Sequence, residues 1–166
     1  MQLRASSVRG ERPECPVHRR HRVHGHGSYD RYRDVSGGSR RSVRRWRCTV
    51  CGLTFSVLPD DMLPYRALAV GLLQAWLDAV LGGRDPPAVG EIERGCCQRA
   101  LRCFVKQIPS LASALGQMVA TLNPSASELW STLRSLGDLP SILLHLAESF
   151  KLSLLHPYRC LLPATG

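Results

Sequence analysis

This chain of 166 residues lacks the long apolar run that a membrane span requires, because charges such as Asp78 and Lys151 interrupt its apolar stretches. Residues 1–10 carry Arg4 and Arg9 and contain no apolar segment of the kind found in secretory signal peptides. Seven cysteines, an odd number, without such a signal favour reduced thiols over a disulfide framework. The sequence therefore predicts a cytoplasmic protein with no membrane partner.

The sequence also lacks the signatures of common catalytic sites, since no P-loop, no G-x-S-x-G and no H-E-x-x-H occurs. After residue 108 the only acids are Glu128, Asp138 and Glu148, and each stands where helix capping or solvation explains it. Three such acids do not make the carboxylate set that holds two catalytic metal ions. We therefore expect that the protein is not an enzyme.

Two short ligand pairs stand about thirty residues apart in the first part of the chain. Cys15 and His18 bracket Pro-Val, and Cys48 and Cys51 bracket Thr-Val, which is the spacing of zinc knuckles. Gly52 directly after Cys51 suits the positive φ that such a turn often needs. Three thiolates and one imidazole form a closed tetrahedral set with no open position for catalysis. Residues 13–60 contain too few apolar side chains to fold by burial alone. The sequence predicts one structural Zn2+ ion bound by Cys15, His18, Cys48 and Cys51.

Other histidines and cysteines leave alternatives open. His21, His24 and His26 lie close to His18, and any of them could complete the site if His18 points away. A third reading treats the cysteines as ordinary buried thiols and His18 as a surface residue. The remaining cysteines in the helical region, Cys96, Cys97 and Cys103, are interpreted as small, at least half-buried side chains.

The charge of the protein is concentrated at one end. Residues 1–50 hold 13 Arg, no Lys and four acids, a net charge of +9, whereas the remainder has nine basic and nine acidic residues. Such asymmetry indicates a nucleic-acid partner, because each neutralised phosphate releases counterions. The guanidinium fork also suits phosphates and guanine edges. A basic tail or a compositional bias is the alternative. The predicted contacts in this block are Arg40, Arg41, Arg44 and Arg45.

The fold class predicted is α+β, a small β zinc ribbon followed by an all-α domain. Residues 1–12 are expected to be disordered, and residues 13–60 to form the ribbon from strands at 28–35, 42–48 and 54–58 with a turn at 36–39. Its aromatic residues are expected to form a small core or to stack on bases; they are Tyr29, Tyr32, Trp46 and Phe55.

Helical periodicity follows, and residues 61–108 are interpreted as a helix-turn-helix region. A first helix is predicted from Pro64 to the glycine pair at 82–83, a short helix over 85–94, a turn at Gly95 and a helix over 97–108. On the last helix Cys97, Leu101, Phe104, Val105 and Ile108 share an apolar side. The opposite side is proposed to read DNA with Gln98, Arg99, Arg102 and Lys106. A helical bundle with a solvated basic face is the alternative.

Residues 109–166 show no charge run and no metal spacing. Three amphipathic helices are predicted at 110–122, 125–136 and 138–150, the second opened by a capping box from Ser125 to Glu128. Packing, a homodimer or a protein partner is all that this segment suggests.

The run from Cys15 to Arg66 resembles the zinc-ribbon region of bacterial insertion-sequence transposases and of small transposase-like proteins. The motifs that carry the resemblance are Cys-Pro-x-His, His-Gly-Ser-Tyr, Arg-Cys-x-x-Cys-Gly-x-Thr-Phe-Ser and Leu-Pro-Tyr-Arg. In those families a helix-turn-helix follows the ribbon, and the first pair usually reads Cys-Pro-x-Cys, so His18 replaces a cysteine here. The resemblance implies binding of double-stranded DNA at the bacterial nucleoid by an accessory or regulatory factor of a mobile element. The alternative is a zinc-ribbon adaptor or RNA-binding protein with a helical interaction domain.

Overall fold

The computed structural model describes residues 2–3, 12–33, 40–59, 61–64, 66–119, 123–150 and 152–155. Its architecture is mixed α+β, with a small, mostly antiparallel sheet followed by helices, which confirms the predicted class. The strands are β1 (Gln2–Leu3), β2 (Val23–Tyr32), β3 (Arg40–Cys48), β4 (Thr54–Val57), β5 (Met62–Leu63) and β6 (Arg66–Ala69). The helices are α1 (Val70–Leu81), α2 (Glu91–Leu115), α3 (Ala126–Ser135) and α4 (Leu139–Phe150), with a 3-10 turn at Gly116–Met118.

Strands β2, β3 and β4 form an antiparallel meander, and β1 adds to β4 in parallel. The predicted strands at 42–48 and 54–58 are confirmed, whereas β2 begins five residues before the predicted start at residue 28. A bulge between Gly25 and Ser28 accommodates this extension, and Gly27 there has φ +90°, a conformation that suits glycine. The predicted turn at 36–39 and most of the predicted tail at 1–12 lie outside the described residues.

One face of the sheet, here called the docked face, rests on the chain that leads into the helices. Val43 is buried on this face with Leu58 and Met62. Next to them the Arg31 guanidinium donates hydrogen bonds of 2.8 and 2.9 Å to two main-chain carbonyls of the β5–β6 hairpin. The Asp61 carboxylate forms an ion pair with the Arg41 guanidinium at 3.0 Å. Apolar burial and these charge-assisted bonds together attach the sheet to the helical part.

The helices share one apolar core. Its fully buried side chains include Leu73 and Leu77 of α1, Phe104 of α2, Leu129 of α3 and Leu146 of α4. Polar contacts fix the helices relative to one another at the edge of this core. The Asp78 carboxylate accepts from Trp130 Nε1 at 2.8 Å and Arg134 Nε at 3.1 Å, and Gln74 Oε1 accepts from the Leu139 N–H at 2.7 Å. None of the described helices has the length and hydropathy needed to cross a membrane.

The predicted start of the first helix at Pro64 is wrong, because α1 begins at Val70 and a short hairpin precedes it. Leu63 and Leu68 are both fully buried in this hairpin. The carbonyls of Leu63 and Arg66 point to the Arg31 guanidinium. A side chain of the sheet therefore forms hydrogen bonds with backbone carbonyls that the local sequence pattern assigned to a helix.

The predicted turn at Gly95 is also wrong, and with it the helix-turn-helix centred there. Helix α2 runs without a break from Glu91 to Leu115 and contains both Gly95 and Pro109. Glycine within a helix costs only about 1 kcal/mol relative to alanine, and a long buried stripe offsets that cost. The stripe consists of Cys97, Ala100, Phe104, Leu111 and Leu115. Val105, expected to face inward, is instead 46% exposed.

The predicted separate helix over 110–122 is absent as such, since α2 continues to Leu115 and the 3-10 turn follows. The capping box is confirmed. The Ser125 hydroxyl accepts from the Glu128 N–H at 3.2 Å, and the Glu128 carboxylate accepts from the Ser125 N–H at 2.7 Å. These bonds to its ionised form lower the pKa of Glu128.

Replacing Ser125 by alanine should lower the free energy of unfolding by about 1 kcal/mol, the usual loss for an N-cap hydroxyl. Helix α3 belongs to the shared core, so urea denaturation followed by circular dichroism measures this loss. The control is Ser131→Ala, an exposed position in the middle of the same helix, where alanine is the better helix former. Equal stability of the two variants would show that the cap contributes nothing.

Candidate metal centre

Four potential ligands meet at the end of the sheet where β3 terminates. Ligand atoms from Cys15, His21, Cys48 and Cys51, here called the metal cluster, all lie within 4.8 Å of one another. Cys15 and Cys48 are fully buried, His21 is half-buried and Cys51 is exposed. The cluster is therefore anchored on one side and reachable from solvent on the other.

The spacing of the ligand atoms fits a tetrahedral metal ion. With metal–sulfur bonds of about 2.3 Å and a metal–nitrogen bond of about 2.0 Å, tetrahedral angles place two sulfurs about 3.8 Å apart and sulfur and nitrogen about 3.5 Å apart. The Sγ atoms of Cys15 and Cys51 are 3.7 Å apart, and Cys15 Sγ is 3.7 Å from His21 Nδ1. A disulfide would need sulfurs about 2.05 Å apart. The cluster thus has the geometry of a metal site.

The second ligand pair is held by a tight turn that follows β3. The Cys51 N–H donates to Cys48 Sγ at 3.4 Å, and the Gly52 N–H donates to the Cys48 carbonyl at 3.2 Å. Gly52 has φ +71°, which a side-chain-bearing residue adopts only with strain. The sequence prediction of a knuckle closed by this glycine is confirmed.

The first ligand pair differs from the prediction, since His21 and not His18 joins the cluster. A turn closed by the His21 N–H on the His18 carbonyl, at 3.0 Å, reverses the chain between the two residues. The exposed His18 accepts at Nδ1 from the Arg20 N–H at 3.2 Å. Its ring stacks on that of His21 with centroids 5.0 Å apart. His18 therefore lies outside the ligand set, as an outer neighbour of His21.

The thiols of the second pair have unequal acidity. Burial raises the pKa of Cys48, but hydrogen bonds from the N–H groups of Cys51 and Val50 and from the neighbouring thiols outweigh it and lower the pKa to about 6. For Cys51 the Leu53 N–H lowers the pKa, but the contact with Cys48, burial and the charge of Cys15 raise it on balance. The lowered pKa of Cys48 favours its thiolate, the form that binds metals.

The metal cluster is continuous with a small apolar core of the sheet. Cys15 and Cys48 pack with Val23 and Phe55, and the half-buried Trp46 lies against them. Phe55 is thus a core residue of this end, as one of the two predicted alternatives had it, whereas Trp46 is only partly covered. Tyr29 instead packs against the cluster on the docked face around Val43.

The predicted contacts on β3 fall into two groups. Arg40, Arg44 and Arg45 are exposed, and no ion pair to any of them occurs among the described residues. Arg41 is half-buried and held by Asp61, which also lies 3.3 Å from Arg33 Nε. Arg41 therefore has a structural partner that the sequence pattern did not indicate.

The predicted contacts on α2 share one solvent-facing side of the helix. Gln98, Arg99, Arg102 and Lys106 are all exposed, as expected. They span about 12 Å of helix axis, given a rise of about 1.5 Å per residue. No ion pair to these side chains occurs within the described ranges, although Arg99 donates to Cys96 Sγ at 3.1 Å. The face is consequently cationic and available to a ligand.

A family model described as a domain of unknown function, DUF6431, matches residues 15–91. The match begins at the first cysteine of the metal cluster, includes all four cluster residues and ends at the first residue of α2. The similarity therefore covers the sheet from β2 onward, the hairpin and α1, and leaves the exposed basic face of α2 outside. No curated protein and no solved structure matches the chain significantly.

Two histidine variants test whether His21 or His18 is the fourth ligand of the metal cluster. Loss of a group that only supports a metal ligand costs roughly 10- to 100-fold in affinity. His21→Ala removes a direct ligand, so it should weaken Zn2+ binding by more than that. His18→Ala is the matched control and should leave the affinity nearly unchanged. Competition with a chromophoric chelator measures both constants. A larger loss in His18→Ala than in His21→Ala would contradict the structure.

Proposed function

We propose that this chain is a zinc-dependent DNA-binding protein, similar to the DNA-binding end of an insertion-sequence transposase. The expected partner is double-stranded DNA, and the expected role is that of an accessory or regulatory factor of a mobile element. The strands β2–β4 with the metal cluster correspond to the zinc ribbon of this proposal, and α2 supplies a second contact surface.

The observation that carries the proposal is the set of arginines on β3 that have no acidic partner among the described residues. Of the five arginines in this nine-residue strand only Arg41 has a carboxylate partner within the described part of the chain. Arg40, Arg44, Arg45 and Arg47 are all exposed. Four unpaired cations along about 25 Å of a rigid strand attract a polyanion and suit phosphate oxygens.

Zinc fits the metal cluster better than other common ions. Three sulfurs and one imidazole in a compact tetrahedral arrangement are the donor set of structural zinc sites, whereas magnesium and calcium prefer oxygen ligands. In this proposal the ion links the Cys15 loop to the turn after β3. Because its four ligands leave no open coordination position, the ion stabilises the DNA-contact strand and takes no part in chemistry.

The helical contact surface differs from the helix-turn-helix expected at Gly95. Helices α1 and α2 are joined by residues 82–90, a longer connection than the three or four residues of a helix-turn-helix. We therefore propose that α2 approaches DNA as a single continuous helix. Its exposed amide and guanidinium groups match those that contact base edges in the major groove.

The apolar side chains of residues 109–166 give little support to the predicted partner surface. The apolar side chains of α3 and α4 are mostly buried in the shared core. Among the described residues after 108, Met118 is the one large apolar residue that is exposed, at 49%. A dimer through this segment remains a prediction.

Removing the free arginines should flatten the salt dependence of DNA binding. For Arg44→Ala/Arg45→Ala/Arg47→Ala we expect the slope of log K against log salt on duplex DNA to fall by about one unit per lost phosphate contact. Arg41→Ala is the control, since its side chain is bound to Asp61: stability should fall and the slope should persist. Fluorescence anisotropy at several salt concentrations measures the slope. An unchanged slope in the triple variant would exclude β3 as the contact surface.

Base preference is expected to depend on α2. Arg102→Ala should relax preference at one or two base positions, since a bidentate contact to guanine contributes about 1–3 kcal/mol of discrimination. Arg84→Ala removes the same charge from an exposed loop and should leave the selected sequences unchanged. Selection from random duplexes, with circular dichroism as a folding check, measures both. The same sequence preference in folded Arg102→Ala and parent would show that α2 does not read bases.

A further inference from the structure

Opposite the docked face, the sheet has a second face that no other described segment covers over most of its length. Strand register places Tyr32 beside Arg40 and Asp30 beside Ser42, and alternation along β3 puts Arg44 and Trp46 in the same row. These six residues are here called the open face. All are exposed except Trp46, which is half-buried where the row approaches the metal cluster.

Arginine and aromatic side chains are paired twice along this face. The Arg40 guanidinium lies over the Tyr32 ring, with Cζ 4.7 Å from the centroid, and it also donates to the Tyr32 hydroxyl. The Arg44 guanidinium lies over the Trp46 ring at 5.7 Å. Tyr32 is 41% exposed, a large fraction for an aromatic side chain on a sheet. Each pair thus presents a flat, cationic surface to solvent.

This combination of groups fits the chemistry of unpaired nucleic-acid bases. Aromatic rings and guanidinium planes stack on base faces, and the same guanidinium groups bind the adjoining phosphates. In an intact duplex the base faces are covered by neighbouring base pairs, so such a surface gains nothing from stacking there. An exposed carboxylate between the pairs, Asp30, can accept hydrogen bonds from base amino groups, which single strands leave free.

The two faces of β3 divide the arginines by role. Arg41, on the docked face, is held by Asp61, and the apolar side chain of Val43 is covered there. Arg40 and Arg44, on the open face, make no ion pair in the described part of the chain and instead lie over aromatic rings. Among the described residues, the pairing of cation with ring is therefore confined to the open face.

We propose that the open face binds a single-stranded nucleic-acid segment by stacking unpaired bases on the Tyr32–Arg40 and Arg44–Trp46 pairs. The inference rests on the proposed function in that it takes the sheet to be a nucleic-acid surface. It adds that this surface prefers unpaired over paired strands, because only unpaired bases can stack on it, whereas in a duplex the β3 arginines contact phosphates alone and α2 supplies the base contacts. DNA and RNA present the same stacking chemistry, and the experiment separates them.

The first measurement is tryptophan fluorescence of the zinc-loaded full chain. Trp76 and Trp130 are 5% and 4% exposed, so quenching by a bound base reports on Trp46. We expect quenching on titration with a thymidine 12-mer or a uridine 12-mer and little with a 12-base-pair duplex. Trp46→Phe should abolish the quenching and keep most of the affinity measured by anisotropy. Stronger quenching by one of the two 12-mers identifies the natural strand as DNA or RNA.

The second measurement uses matched variants. Tyr32→Leu should weaken binding of the better 12-mer by about 5- to 150-fold, the range that corresponds to loss of one stacked base, and Tyr32→Phe should retain it. Arg44→Ala should weaken it more than Arg45→Ala, which removes the same charge from the next residue on the opposite face. Zinc content and circular dichroism verify that each variant is folded.

The outcomes separate this inference from the proposed function. Duplex binding with the expected salt dependence, together with no binding of either 12-mer, would overturn the stacking inference and leave the proposed function standing. Equal affinity of Tyr32→Leu and the parent for the 12-mers would overturn it as well. A chain that binds neither duplex nor single strands would overturn both.

Discussion

The meeting of three thiols and one imidazole at the end of the sheet is the constraint on which the first third of the molecule depends. Cys15 and His21 come from a loop with little apolar content, and Cys48 and Cys51 from the turn after β3. Thr49 of that turn also holds the loop, since its N–H and its hydroxyl donate to the Arg22 carbonyl at 2.9 and 3.1 Å. Because the loop buries few apolar side chains, we expect metal binding and folding of this region to be coupled, as in other small metal modules.

Arginine serves two opposite purposes in this sheet. Arg31 and Arg41 turn toward the chain around Asp61 and the β5–β6 hairpin, where carbonyls and a carboxylate hold them. Arg40 and Arg44 turn away and lie over aromatic rings in contact with solvent. Because β-strands alternate their side chains, one arginine-rich sequence supplies both the attachment to the helices and a free cationic surface.

Local patterns predicted well wherever neighbouring residues decide the structure. The turn closed by Gly52 and the capping box at Ser125 are confirmed, since both depend on backbone groups within a few residues. The predicted turn at Gly95 is wrong because burial of α2 against α1 and α3 outweighs the small free-energy cost of one glycine in a helix. The structure brings His21 and not the predicted His18 to the cluster for a related reason, because Thr49 of the distant turn binds the Arg22 carbonyl next to His21.

The sequence by itself determined the α+β class, the three cysteine ligands of the cluster and the exposure of the basic residues on α2. These follow from ligand spacing, charge distribution and helical periodicity, which are properties of nearby residues. Only the tertiary structure decided the fourth ligand, the continuity of α2 and the difference between Arg41 and Arg40. Each of these depends on a contact between segments far apart in the chain, such as Asp61 with Arg41, and the free energy of such contacts is absent from any local pattern.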